Sequence, residues 1–437
     1  MNEFTKLTGI RDECMMIVCG CRAKRMRSDM KKNVPFLSMT LIFLVLTNLL
    51  FSAKQQTAEK PGPGAASIPV AVRVFDGKQL VTSLRLQDFE VLENGIPRPV
   101  EALYLVDKNA IERREANQDR QPDVTRKFYL LFQLFEYHPK LAEAIRYLFD
   151  QELLPGDSLE IQTPMRNYRL SAAAFANKPK NVLAEEMTNI VKKDIVQGGL
   201  AYNSLLNELK RHVRAIGGSN PMGGLETDTE TEEIGLEMLL PRYKEILAKM
   251  EALRRIDIDK FILFAQALKN QSGQKFVFFI YQREFRPEIS PAVIQKIMGL
   301  YQDSPHVLDG IQELFMFYTR NISQNTQRMR ESFADSSAHF SLIFMNKAPQ
   351  QIVRIVMREQ SEDIFKAFSA VAQATGGIVD TSQNPAAGIK SALETSNKYY
   401  LLYFTPFSEV KDGSFRSIKI RVKDRDYTVV NRQGYIY

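Results

Sequence analysis

The sequence predicts an α/β protein in which a doubly wound, mostly parallel six-stranded sheet is inserted in a β-sandwich formed by the N- and C-terminal strands. Three observations carry the prediction. Ile68–Val106 alternates apolar and polar side chains around turn signals at Asp76-Gly77 and Asn94-Gly95, the pattern of short antiparallel strands. Lys398–Tyr437 has the same character, with a hairpin signal at Asp412-Gly413. Between them, apolar strand patterns alternate with amphipathic helices, the rhythm of a parallel sheet covered on both faces. About forty residues of strand cannot close a stable core alone. The two ends, 68–110 and 396–437, are therefore expected to meet in one discontinuous domain, with 120–395 set between them.

Along the insert, the expected strands are Phe128–Phe135, Ser158–Thr163, Tyr168–Ala173, Lys275–Gln282, Phe340–Asn346 and Gly377–Thr381. Runs such as FYLLFQLF and KFVFFIYQ are apolar on both faces, as a strand covered by helices must be. The expected helices are Pro139–Leu153, Asn181–Val196, Ala201–Ile216, Pro241–Asn270, Pro291–Tyr301, Val307–Phe333, Glu362–Ala374 and Pro385–Thr395. In the helix from Val307, one face carries Ile311, Leu314, Phe315, Tyr318 and Ile322, a stripe that reads as core packing. Gly376-Gly377 reads as a helix C-cap leading into the next strand. Gly217–Glu233 reads as a flexible acidic loop ahead of a longer helical excursion.

At 437 residues the chain can hold two or three domains with full cores. The formal charge is +7, but residues 1–32 hold eight Lys/Arg against four Asp/Glu, so more than half of the excess sits in that head. No basic stripe interleaved with aromatics follows, which argues against nucleic acid. Cys14, Cys19 and Cys21 also lie in the head, without the second ligand pair of a zinc motif. The rest of the chain therefore has no disulfide, thiolate metal site or catalytic cysteine. From Met30, the pair Lys31-Lys32, the apolar run Val34–Phe51 and the exit Phe51-Ser52-Ala53 have the layout of a secretory signal. Met30 is then the expected true start, with 1–29 an over-long beginning and 30–53 the signal. The apolar run is also just long enough to remain as an inner-membrane anchor, so cleavage and retention both stand. No cysteine follows it, which excludes a lipoprotein anchor. A Pro/Gly-rich linker, 54–67, comes next, and the remainder is expected in the periplasm or outside the cell.

Three features together resemble the bacterial von Willebrand factor type A-related family of exported proteins. The first is the opening V-x-V-x-D-G…L-x-x-x-D-F-x-V-x-E-x-G, from Val72, Val74, Asp76 and Gly77 through Leu84, Asp88, Phe89, Val91, Glu93 and Gly95. The second is the strand series with LLPGDSLEI at Leu153–Ile161 and ATGG at Ala374–Gly377. The third is the ending YYLLYFTP…DGSFRSIKIRV…RQGYIY. The resemblance covers Ile68–Tyr437 and implies a metal-ion-dependent adhesion site at the sheet's switch point. There D-x-S-x-S, a loop Thr and a second Asp surround Mg²⁺, and a partner's carboxylate completes the shell.

Carried onto this chain, the first Asp falls on Gln133 and the two Ser on Phe135 and Tyr137. The loop Thr falls on Leu200, after Gly198-Gly199, and the second Asp on or near Gln282. Phe and Leu offer no oxygen, and Gln offers no charge to offset dehydration of a hard dication. The site is thus expected to be degenerate, with no metal and no cofactor. Two readings of the corner stand: Phe135 and Tyr137 cap the core, or the rim of Gln133, Tyr137, His138 and Gln282 binds a partner through aromatic contacts.

Other chemistry is sparse. The four histidines, His138, His212, His306 and His339, are scattered, and no HExxH, GxSxG or phosphate-loop pattern occurs. His138 beside Glu136 is poor evidence of a catalytic pair. Glu226, Asp228, Glu230, Glu232 and Glu233 lack the spacing of a calcium loop and read as solvated. The expectation is a non-enzymatic protein-binding or scaffolding module that works without metal. The alternatives are an envelope-anchored structural component, or a hydrolase whose acidic residues converge from distant loops.

Overall fold

The computed structural model of the chain describes residues 67–116, 121–170, 172–218, 229–319, 326–352, 355–407 and 411–437. The cysteines, the expected signal or anchor and nearly all of the linker lie outside the described residues, as do Ile322, Glu226 and Asp228. Strand β1 (Ile68–Asp76) buries Val70, Val72 and Val74 on one face, as its alternation requires. It turns at Gly77 into the short β2 (Gln79–Leu80). Strands β3 (Phe89–Glu93) and β4 (Ile96–Arg98) form a hairpin on Asn94-Gly95, whose φ values of 49° and 82° suit a two-residue hairpin turn. A second hairpin joins β5 (Val100–Asp107) to β6 (Ala110–Ala116). The charged, largely exposed AIERREA of β6 carries no apolar alternation, which is why sequence pattern missed it.

The insert begins with β7 (Arg126–Gln133), followed by α1 (Lys140–Tyr147), which runs into one π turn at Leu148–Glu152. Then come β8 (Ser158–Gln162), β9 (Asn167–Leu170), α2 (Ala172–Asn177) and α3 (Lys180–Gly218). Helices α4 (Thr229–Arg254) and α5 (Ile258–Lys269) lead to β10 (Gln274–Gln282) and β11 (Phe285–Ile289). Helices α6 (Pro291–Leu300), α7 (Pro305–Thr319) and α8 (Thr326–Asp335) precede β12 (Ala338–Met345) and β13 (Ile355–Glu359). The insert ends with α9 (Glu362–Thr375), β14 (Val379–Asp380) and α10 (Pro385–Glu394).

One six-stranded mixed sheet runs β14-β12-β10-β7-β8-β9. Neighbours from β14 to β8 are parallel, and β9 is an antiparallel edge. Along β7 the side chains divide by parity. Phe128, Leu130 and Phe132 face α1, α3 and α10, whereas Tyr129 and Leu131 face α5, α8 and α9. Strand β10 divides in the same way, so helices cover both faces and both strands are apolar throughout. The chain leaves β7 toward β8, then returns to β10 on the other side of β7. The strand order therefore reverses between β7 and β10, and their C-terminal ends flank a crevice.

Several expected boundaries are corrected. The strand Tyr168–Ala173 ends at Leu170, with Ala172 already in α2. The loop Gly217–Glu233 is helical at both ends, Gly217 lying in the last turn of α3 and Thr229 opening α4. Asn181–Val196 and Ala201–Ile216 are parts of one 39-residue helix, α3. The expected helix Pro241–Asn270 is α4 and α5, interrupted where Asp257 caps α5 by accepting from Lys260 N at 3.2 Å. Val307–Phe333 is likewise α7 and α8. On α7, Val307, Ile311 and Leu314 are buried, but Phe315 is 46% exposed and Phe317 takes its place. These side chains join α3, α4, α6, β11 and β13 in a third core, where the sequence pattern suggests only a helical excursion.

The chain closes with β15 (Lys398–Phe404), β16 (Phe415–Val422), β17 (Thr428–Asn431) and β18 (Gly434–Ile436). The two ends interleave in sheets ordered β17-β1-β15-β5-β6 and β18-β16-β3-β4. Strand β16 alternates strictly, sending Ile418, Ile420 and Val422 inward to meet Val72, Val74, Phe89, Val91, Leu103 and Leu402. Both sheets thus share one apolar core.

Buried arginines tie these strands to the insert. Arg126 is fully buried and makes a two-pronged pair with Asp157, at 2.6 and 3.2 Å. It also donates to Glu152 O and to Asn397 Oδ1. Arg73 on β1 donates to Gly376 O at 2.6 Å, where α9 ends in a left-handed Gly376 with φ 72°. Gly377 N then bonds Ala372 O at 2.8 Å, the six-to-one closure of a glycine C-cap.

Candidate functional site

The crevice at the strand-order reversal is shaped by a close approach of α3 to the loop after β7. Gly199 lies in mid-helix, where a Cβ would stand 2.1 Å from Phe135 O, and a Cβ on Gly198 would stand 2.7 Å from the Pro164 Cβ. Asn203 Nδ2 donates to Phe135 O at 2.7 Å. One turn along, Tyr202 stacks on the Phe135 ring with centroids 4.0 Å apart and planes 10° apart. Beside this stack is a cavity of about 280 Å³, lined by Phe135, Tyr202, Gln282, Glu284, Lys347 and Met357 among others.

The electrostatics of the cavity centre on Glu284, just beyond β10. Burial pushes its carboxyl up to about 7, and the Arg254 guanidinium offsets only part of that rise. Arg254 is itself committed to Asp363, at 2.9 and 3.1 Å. Tyr281 lies near enough to favour the carboxylate, yet no hydrogen bond forms between them, and Glu284 Oε2 is buried without a partner. Burial also holds the Tyr202 hydroxyl well above the usual phenol range, while it accepts from Gln360 Nε2 at 2.5 Å. Opposite, Lys347 pairs with Glu136. The cavity therefore offers an aromatic wall, amides, a lysine and an acid that titrates near neutrality.

Gln133 and Gln282 end β7 and β10, at the strand ends where the sequence placed them. Only Gln282 and Phe135 of the expected set line the cavity. Tyr137 turns the other way, packs against the core under α1 and α3, and has Lys192 Nζ 5.7 Å from its ring centroid. His138 opens α1, its Nδ1 accepting from Lys140 N at 3.3 Å, while the carboxylate beside it goes to Lys347. The rim of Gln133, Tyr137, His138 and Gln282 is thus not one surface. Leu200 is not on a loop either: it lies within α3, 63% exposed. Gly-Gly marks close packing of helix on loop here, and that contact outweighs the cost of about 1 kcal/mol per helical glycine.

No family model, curated protein or solved structure matches this chain. The site is therefore judged on its own chemistry. The positions of an adhesion-site metal supply no carboxylate. The nearest acids are Glu136, held by Lys347, and Glu284, beside Arg254. These residues do not fit a divalent cation. Among the described residues, no three His, Cys, Asp or Glu side chains gather as a metal-holding group. Nor is any described helix long and apolar enough to cross a membrane.

Away from the crevice, Ser396 Oγ lies 2.8 Å from His339 Nε2, the spacing of a nucleophile and its base. The Ser396 hydroxyl, however, donates to Ala392 O at 2.5 Å, and Arg73 donates both to Ser396 Oγ and to His339 Nε2. The imidazole lone pair is already used, and burial together with Arg73 holds His339 neutral. This is a packed polar joint. Sequence reasoning missed Glu284, Tyr202 and Lys347 because each acquires its surroundings from distant segments. The one local signal was Gly198-Gly199 on an otherwise helical pattern.

Proposed function

We propose that the chain is an exported, non-enzymatic protein-binding module whose partner docks, without a metal ion, at the cavity beside the ends of β7 and β10. In this reading the central sheet is von Willebrand A-like, the interleaved ends form a β-sandwich, and the leader at Met30–Ala53 directs export. The strand order supports the first part: numbered within the sheet it is 3-2-1-4-5-6, with the third strand antiparallel. The shared core of the end strands supports the second.

The observation that carries the function is the cavity between Phe135, Tyr202 and Gln282. It is a concavity at the place where ligands enter open α/β sheets, and no anionic oxygen stands at its metal-ligand positions. Recognition then falls to side chains directly, with the Phe135–Tyr202 stack as a rigid anchor. The mature chain, immobilised and exposed to native envelope extract, is expected to retain a partner equally in EDTA and in Mg²⁺, and to lose it when Gln282→Arg fills the cavity mouth. Capture that requires Mg²⁺, or that survives Gln282→Arg unchanged, would overturn the reading.

A further inference from the structure

Beyond the cavity, the same face of α3 continues into a shallower groove of about 760 Å³. Asn203 and Lys210 line the cavity, Lys210 and Arg214 the groove, and their spacing along α3 sets them in one stripe about 16 Å long. The opposite wall is the segment after β12, with Lys347, Gln350 and Gln351. We propose that this continuous groove binds an acidic, extended segment of a partner protein, whose carboxylates meet the lysine and arginine cations along α3. The proposal rests on the binding-module reading above and names its ligand chemistry.

The charges are arranged for this. Lys210 Nζ donates to a neutral amide, Gln350 Oε1, at 2.8 Å. Among the described residues no carboxylate pairs with Arg211 or Arg214, which also line the groove. Burial, together with the like charges of Lys347 and Arg214, depresses the Lys210 ammonium, so an incoming carboxylate relieves a repulsion already present. The amides decide the class of ligand. Asn207, Gln350 and Gln351 both donate and accept, which suits a peptide backbone carrying N–H and C=O. A phosphate only accepts, so a nucleic acid or lipid held through its phosphates alone would leave the amide oxygens without a donor. About five extended residues span the groove, and the apolar end at Phe135 and Met357 takes a side chain adjoining the acids.

The test uses the full mature chain and a fluorescein-labelled peptide of alternating Glu and Leu, followed by fluorescence polarisation in EDTA. Binding that weakens with salt, and that falls about tenfold or more in Lys210→Glu/Arg214→Glu at an unchanged unfolding midpoint, is the expected result. Equal affinity in the double variant would overturn the proposal. So would tighter binding of oligothymidylate or phosphatidylglycerol vesicles, lost in that same variant. If the double variant still captures the envelope partner normally, the groove is retired and the binding-module reading stands. If even the unaltered chain captures no partner, that reading falls with it.

Discussion

Gly199 and Phe135 meet where helix α3 crosses the loop after β7, the glycine α-carbon facing the phenylalanine carbonyl so closely that a methyl would stand 2.1 Å from the oxygen. This contact brings Tyr202 over Phe135 and Asn203 onto the same carbonyl. It therefore builds the cavity wall as well as the helix packing.

Gly199→Ala sets two effects against each other. Alanine raises helix propensity by about 1 kcal/mol. The clash is with backbone, which cannot swing aside, and overpacking of that kind costs about 1–3 kcal/mol. The clash is expected to win, with a lower urea midpoint. Gly235→Ala is the control, since nothing lies within 4 Å of its added methyl and only the propensity gain remains. Equal midpoints for the two variants would refute the packing account.

The sequence carried the sheet because its cause is local. FYLLFQ and KFVFFIYQ have the continuous apolar run of strands buried on both faces, and their order along the chain leaves few topologies. Asn94-Gly95 and Gly376 were equally plain, since each supplies the positive φ that its turn or cap requires. Leu200 was misplaced, and Tyr137 was left undecided between core and rim although it packs on the core, for a different reason. Their roles were assigned by offset from a strand end, and offset does not say whether a Gly-Gly pair breaks a helix or lets it pack tightly. The site itself was least legible. Glu284 owes its character first to burial and then to Arg254 and Asp363, which approach it from the ends of two separate helices, and no window of sequence contains all three.

Arg126→Met should be among the most damaging single changes away from the cavity. It leaves Asp157 buried without its cation, and breaking a buried pair from one side costs about 3–5 kcal/mol. Adding Asp157→Asn removes the stranded charge and should recover a measurable part of that loss. Thermal unfolding of the two single variants and the double reads the coupling directly. Purely additive losses would mean that the pair acts only through packing.

Glu284 and His339 are expected to titrate against each other. Burial lifts the Glu284 carboxyl from 4.5 to about 7, so between those values the folded chain holds a proton that the unfolded chain has released. Its stabilising contribution is complete below about pH 4.5 and is lost as pH rises through 7. Burial and Arg73 hold His339 well below 6.5, so the unfolded chain takes up a proton below 6.5 that the folded chain refuses. That contribution is complete above 6.5 and is lost as pH falls. Acidification from pH 7 to 5 thus strengthens the fold at one residue and weakens it at the other, and the unaltered chain should show a shallow profile. Glu284→Gln removes the gain, on the order of 2 kcal/mol over this span, and should leave a fold that weakens with acid. His339→Gln removes the loss and should give one that strengthens. Urea midpoints at the two pH values separate these outcomes, and identical profiles for both variants would show that neither group carries the proton assigned to it.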